Sequence, residues 1–194
     1  PFEDMGNMRV IPNMVCVEPT DAAMLEAIMP KIADYKGMVY MRLFRKKAEK
    51  IYEDGSDFDL FKAKWLKTGK DATIICSGIM VEKSIRAAKI LEEKGYDVGI
   101  LNCFTWKPID KEAVLKAAKE SGAIVTAENH NIINGLGSAV AEILVENCLI
   151  PMERVGINDE FGEVGKMDYL EKRFRISAED IAEKTEKVIK RKTK

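Results

Sequence analysis

From Asp71 onward the chain alternates short apolar runs with amphipathic segments, and that rhythm leaves few folds open. Residues 72–77 read as a buried strand, followed by a helix over about 81–94 that Gly95 closes. Residues 98–102 form the next strand. Asp110 then caps a helix over 111–120, with Gly122 at its end. A third strand, 123–127, leads to a further helix, and residues 154–157 supply a fourth strand. Strands separated by helices of this length require crossover connections and therefore a mainly parallel sheet. The expectation is an α/β, doubly wound domain over residues 71–194. Ser177 and Asp180 open its last helix with a capping-box pattern.

Residues 1–45 read as helix, strand, helix, strand, with Asp21 or Thr20 capping the second helix and Pro30 inside it. Two strands and a helix cannot close a sheet alone, so this part is expected to be the end of a larger α/β domain, cut at Pro1. Residues 46–70 are charged, carry an Asp54-Gly55-Ser56-Asp57 turn and lack a helical period. They read as a linker, with an edge strand over 61–66.

Polar chemistry concentrates in residues 123–147, AIVTAENHNIINGLGSAVAEILVEN. After the apolar run, Glu128, Asn129, His130, Asn131 and Asn134 are expected in one loop, followed by Gly135 and Gly137 and a helix capped by Ser138. His130 is the only histidine. Gly135-x-Gly137 before a helix, with Asp159 downstream, invites a dinucleotide reading. Val140 stands where the third glycine belongs, and the glycines begin some eight residues after the strand rather than directly behind it, so close helix–sheet packing is the better account. Glu160-Phe161-Gly162-Glu163-Val164-Gly165 gathers two acids and two glycines, which reads as a turn with exposed acids or as a metal or anion loop.

Composition excludes other classes. With 31 lysines and arginines against 32 acids the net charge is -1, which gives no basic footprint for nucleic acid. No apolar run reaches the roughly 18 residues of a membrane span. Cys16, Cys76, Cys103 and Cys148 form no C-x-x-C pair and read as free thiols in a reducing cytoplasm.

Three ordered stretches carry a family resemblance: MGNMRVIPNMVCVEPTDAAMLEA, AENHNIINGLGSAVAEILVEN and FGEVGKMDYLEKRFRISAEDIAEK. They resemble transketolases, covering the end of the pyrimidine-binding domain (1–45), a linker (46–70) and the C-terminal domain (71–194). The resemblance implies an enzyme that uses thiamine diphosphate and Mg2+ to move a two-carbon ketol unit between sugar phosphates in the pentose phosphate pathway. The family's diphosphate motif, Gly-Asp-Gly, is absent here, and its cofactor-activating glutamate and T-H-Q-P histidine belong before Pro1. No catalytic, cofactor-binding or metal residue is therefore expected in this segment, which should be inactive alone. The implied partners are an N-terminal transketolase section, on the same or a separate chain, in a homodimer or heterotetramer. Alternatives of the same architecture are 1-deoxyxylulose-5-phosphate synthase and a 2-oxoacid dehydrogenase β subunit, and a non-catalytic assembly module is the rival class.

By the same resemblance Arg45, which closes the strand MVYMRLFR, contacts the sugar-phosphate tail, although Phe44 stands where the family commonly has serine or glycine. Glu128 and His130 are expected to serve a loop or subunit contact rather than chemistry.

Overall fold

The computed structural model describes residues 1–45 and 47–192. Lys46, which opens the expected linker and its lysine run, and Thr193 and Lys194, which end the last segment, lie outside the described residues. The elements are α1 (Asp4–Arg9), β1 (Met14–Val17), α2 (Ala22–Asp34), β2 (Met38–Met41), β3 (Lys64–Lys67), β4 (Ala72–Cys76), α3 (Met80–Glu93), β5 (Val98–Asn102), β6 (Thr105–Lys107), α4 (Lys111–Ser121), β7 (Ile124–Asn131), α5 (Leu136–Asn147), β8 (Met152–Ile157), α6 (Met167–Phe174) and α7 (Ala178–Lys190).

The larger sheet has the order β3-β5-β4-β7-β8, with β5, β4, β7 and β8 parallel and β3 antiparallel at the edge. Side-chain alternation along β4 feeds two cores. Ala72, Ile74 and Cys76 face α3 and α7, while Ile75 faces α4 and α5. Helices on both faces of a mainly parallel sheet make this the doubly wound α/β fold that the strand–helix rhythm requires. The chain leaves β4 through α3 on one face and leaves β7 through α5 on the other, so the winding reverses between these two neighbours.

Local chemistry explains the element ends. Asp110 accepts from Ala113 N at 3.1 Å and starts α4. Gly122 ends it at φ +64°, a left-handed turn costly for other residues. Ser177 and Asp180 close a reciprocal capping box at α7. Asp21 caps α2 through Met24 N at 2.9 Å, and that helix runs on through Pro30.

Several expectations change. The edge strand forms at Lys64–Lys67 rather than 61–66, because Asp59 and Asp110 hold the backbone N–H groups of Phe61 and Ala63. The strand MVYMRLFR, expected to close at Arg45, ends at Met41. Of the expected linker, the described residues 47–70 are packed down: Tyr52, Phe58 and Leu60 are buried with Val15, Val17, Met24 and Phe104 in a third core. The second Asp21 carboxylate oxygen accepts from both Ile51 N and Tyr52 N at 2.8 Å. β1 and β2 run parallel, and β6 completes their sheet by pairing antiparallel with β1. One strand of the later part of the chain thus joins the sheet of the first part.

Cys16, Cys76, Cys103 and Cys148 are all free. Burial pushes the Cys16 thiol up to about 11 and Cys76 up to about 12, so neither is a nucleophile at neutral pH. Among the described residues no helix is long and apolar enough to cross a membrane.

Candidate functional site

Open α/β sheets gather ligands beyond the carboxyl ends of their strands, where the winding reverses. Here that place is the junction of β4 and β7, and the carboxyl ends of β1 and β2 arrive at it from the smaller sheet. Each strand delivers a polar residue directly past its end: Glu18 after β1, Arg42 after β2 and Ser77 after β4.

These side chains form one connected network. Arg42 Nη1 donates to Glu18 Oε1 at 2.9 Å and to the Asn129 carbonyl at 2.7 Å. Its Nε lies 3.3 Å from Asp4 Oδ2, which also accepts from Tyr40 Oη at 2.8 Å. The other Glu18 oxygen accepts from Ser77 Oγ at 2.5 Å, and Ser77 Oγ in turn accepts from Trp106 Nε1 at 2.8 Å. Gly78, at φ +52°, lets the chain pass Glu18: a Cβ there would lie 2.7 Å from Glu18 Cδ. The network pins the first part of the chain onto the second with charge-assisted bonds, and Arg42 is spent on it.

Above the network opens a hollow of about 440 Å³, whose lining includes Tyr40, Arg42, Phe44, Arg45, Ile79 and Asn129. A second, of about 450 Å³, shares Phe44, Arg45, Ile79 and Asn129 with it. Arg45 is exposed, four residues past the end of β2, and makes no ion pair with a described residue. Unlike that of Arg42, its fork of donors is committed to no described residue.

Glu128 and His130 lie elsewhere, and their surroundings correct the expected polar loop. β7 runs on through Asn131, and both side chains are fully buried. Ser138 does not cap α5. Instead Glu128 Oε2 accepts from Leu136 N at 2.7 Å and Oε1 from Gly137 N at 2.9 Å, while Ser138 Oγ donates to the Ile132 carbonyl at 3.1 Å. The two glycines make room for this. A Cβ on Gly135 would sit 1.8 Å from Glu128 Oε2, and one on Gly137 2.8 Å from Thr126 Oγ1 and 3.0 Å from Glu128 Oε1. The helix end where a dinucleotide fold would hold a phosphate is filled by the protein's own carboxyl group, which removes the nucleotide reading.

His130 bridges to α1. Its Nε2 accepts from Gly6 N at 3.1 Å, so Nδ1 carries the proton and donates to the Asn131 carbonyl at 2.6 Å. Burial lowers its pKa, consistent with a neutral ring. The loop at 160–165 is held by Arg173, whose guanidinium meets Glu160 at 2.6 Å and Glu163 at 2.8 Å. Among the described residues no three His, Cys, Asp or Glu side chains gather as a metal site.

Burial pushes the Glu128 carboxyl up from 4.5 to about 8, against the two amide donors that pull it down, with Glu18 adding to the rise. The folded pKa is therefore above the unfolded one. Its stability contribution is full below pH 4.5 and lost as the pH rises through about 8. His130 has the opposite sign, acting only below its ordinary value of 6.5. Denaturation midpoints should therefore fall between pH 6.5 and 8, and Glu128→Gln should flatten that fall. An unchanged slope in the variant would clear Glu128 of responsibility.

Glu18, Arg42, Ser77 and Asp4 were not singled out from the sequence. The available signal was a polar residue directly behind each apolar run, as in VCV-Glu18 and IIC-Ser77.

Comparison with known proteins bears on this geometry. Residues 61–181 match the family model described as transketolase, C-terminal domain. The chain is 47% identical over 98% of its length to the 6-deoxy-6-sulfo-D-fructose transketolase subunit of Clostridium sp. (strain MSTE9), covering 59% of that protein. It is 44% identical over 94% of its length to a putative transketolase C-terminal section of Methanocaldococcus jannaschii, covering 58% of it. A solved structure titled as a split gene transketolase, inactive beta4 tetramer, superposes with a TM-score of 0.96 at 41% identity, over 99% of this chain and 63% of that one. The chain thus spans about three fifths of the length of the proteins it matches.

Proposed function

The chain belongs to the transketolase family, through its C-terminal domain, and from that premise we propose that it is the downstream section of a two-part, thiamine-diphosphate-dependent transketolase. It works with an N-terminal section that supplies the cofactor site, and it contributes assembly surface and the anchor for the anionic tail of a sugar substrate. The observation that carries the reading is Arg45, paired with no described residue, over a hollow where the carboxyl ends of β1, β2, β4 and β7 meet, in a chain whose relatives include a transketolase subunit and a C-terminal section.

The chain's own residues do not fit thiamine diphosphate with Mg2+. The sequence has no Gly-Asp-Gly, and Glu128 occupies the glycine-rich helix start that could cradle a diphosphate. When bound in the assembled enzyme, the cofactor supplies the carbanion chemistry. What this chain does is orient: β2 delivers Arg45, and the Arg42–Glu18–Ser77 network fixes the floor beneath it. We place the assembly in the cytoplasm, as a homodimer or a heterotetramer according to whether the sections are fused, and among sugar phosphates of the pentose phosphate pathway. A sulfonated sugar is the second substrate reading, favoured by the name of the Clostridium relative. Either tail is a tetrahedral oxyanion suited to a guanidinium.

Reconstitution tests the reading. The chain alone should show no ketol transfer from hydroxypyruvate and no saturable heat with thiamine diphosphate and Mg2+. Mixing it with a separately expressed N-terminal section should produce both. Micromolar cofactor binding by the chain alone would overturn it.

A further inference from the structure

We propose that Asn129 is a second ligand for the substrate's terminal oxyanion, so that the tail subsite is built jointly by the first part of the chain and by the doubly wound domain. This rests on the reading of Arg45 as tail anchor and extends it. Three elements converge on the hollow that holds Arg45: the segment after β2, the start of α3 at Ile79, and Asn129 of β7. The same three line the adjoining hollow.

Asn129 is held in place before any ligand arrives. Its neighbours Glu128 and His130 are fully buried and locked to the start of α5 and to Gly6. Its own carbonyl accepts from Arg42 Nη1 at 2.7 Å. Its carboxamide makes no hydrogen bond with a described residue, and the side chain is half-buried at the wall. A fixed backbone with an idle amide donor loses little entropy on engaging a ligand. The start of α3 adds to the field. Ile79, the N-cap of this 14-residue helix, lines both hollows and provides no side-chain cap.

The acids of this hollow do not oppose an anion. Glu18 is engaged by Arg42 and Ser77, and Asp4 by Arg42 and Tyr40. In the adjoining hollow Glu171 pairs with Lys83 and Glu82, in the first turn of α3, with Arg86, while Glu49 and Asp168 are exposed to solvent. Arg45 therefore supplies the charge, and Asn129 Nδ2 donates to a further oxygen of the same group.

The test uses the chain assembled with its N-terminal section, hydroxypyruvate as donor, and two acceptors: an aldose phosphate and the unphosphorylated aldose of equal length. Asn129→Ala should raise KM for the phosphorylated acceptor about 3- to 10-fold, the loss of one neutral hydrogen bond, with kcat held. Asn129→Asp should raise it further, because a carboxylate repels the tail. The unphosphorylated acceptor should change less than about twofold. Equal losses on both acceptors, or none on either, overturn the proposal. If Arg45→Ala is tail-selective and the Asn129 variants are not, only the inference falls. If Arg45→Ala is also indifferent to the tail, the underlying reading falls with it.

Discussion

Gly135→Ala should cost most of the stability of the fold. The added Cβ would stand 1.8 Å from Glu128 Oε2 and 2.8 Å from the Asn131 carbonyl, while φ at this position is an ordinary -84°. The penalty is therefore steric, at Glu128 and at the Asn131 carbonyl, with no contribution from an unfavourable φ. If the carboxyl group leaves, the N–H groups of Leu136 and Gly137 lose their acceptor at a site where Leu136 is fully buried. Two orphaned buried donors at about 1–3 kcal/mol each, plus overpacking of about 1–3 kcal/mol, give roughly 3–9 kcal/mol. That approaches the whole stability of an ordinary domain, about 5–15 kcal/mol. At about 2–4 °C per kcal/mol for a chain of this size, the melting temperature should drop by roughly 6–36 °C. Gly55→Ala is the control: nothing lies within 4 Å of its Cβ, and only its φ of +79° resists, so the loss should be about 1 kcal/mol. In a Glu128→Ala background the cost of Gly135→Ala should shrink, since only the contact with the Asn131 carbonyl remains. Additive losses would show that Glu128 is not what the glycine accommodates.

Much of the doubly wound domain was legible because its signals are local. Asp110, Gly122 and Ser177 act within a few residues of themselves, and each ends or starts its helix as their chemistry requires. The parallel order follows from helix-length crossovers. What was not legible depends on partners distant in sequence. Glu128 to Asn131 look like a loop because polar residues usually sit in water. Their strand conformation exists because α5, α1 and Arg42 satisfy them, from 8 to 124 residues away along the chain. The same holds for residues 46–70: a charged, aperiodic stretch still buries Tyr52, Phe58 and Leu60, three apolar side chains with no common period. At the site, Arg45 was legible through family resemblance alone, whereas the Glu18–Arg42–Ser77 network required the two sheets to be brought together.

Arg45→Ala should separate substrates by their tails. Arg45 has no ion pair with a described residue, so its removal leaves no buried partner orphaned and should barely move stability. Arg42 is the contrast: its guanidinium holds Glu18, Asp4 and the Asn129 carbonyl, so Arg42→Ala should weaken folding itself. Loss of the Arg45 charged hydrogen bond is worth roughly 1.5–3 kcal/mol. That corresponds to about a 10- to 150-fold fall in kcat/KM for a phosphorylated sugar. Hydroxypyruvate, a ketol donor without a phosphate tail, should be nearly unaffected as donor. The decisive measurement is therefore kcat/KM of the assembled two-section enzyme, wild type against Arg45→Ala, with phosphorylated and unphosphorylated substrates in parallel. Ketol transfer by the wild type, with a loss in the variant confined to phosphorylated substrates, is the predicted result. No transfer by the assembled wild type, or equal loss on both substrates, would contradict it.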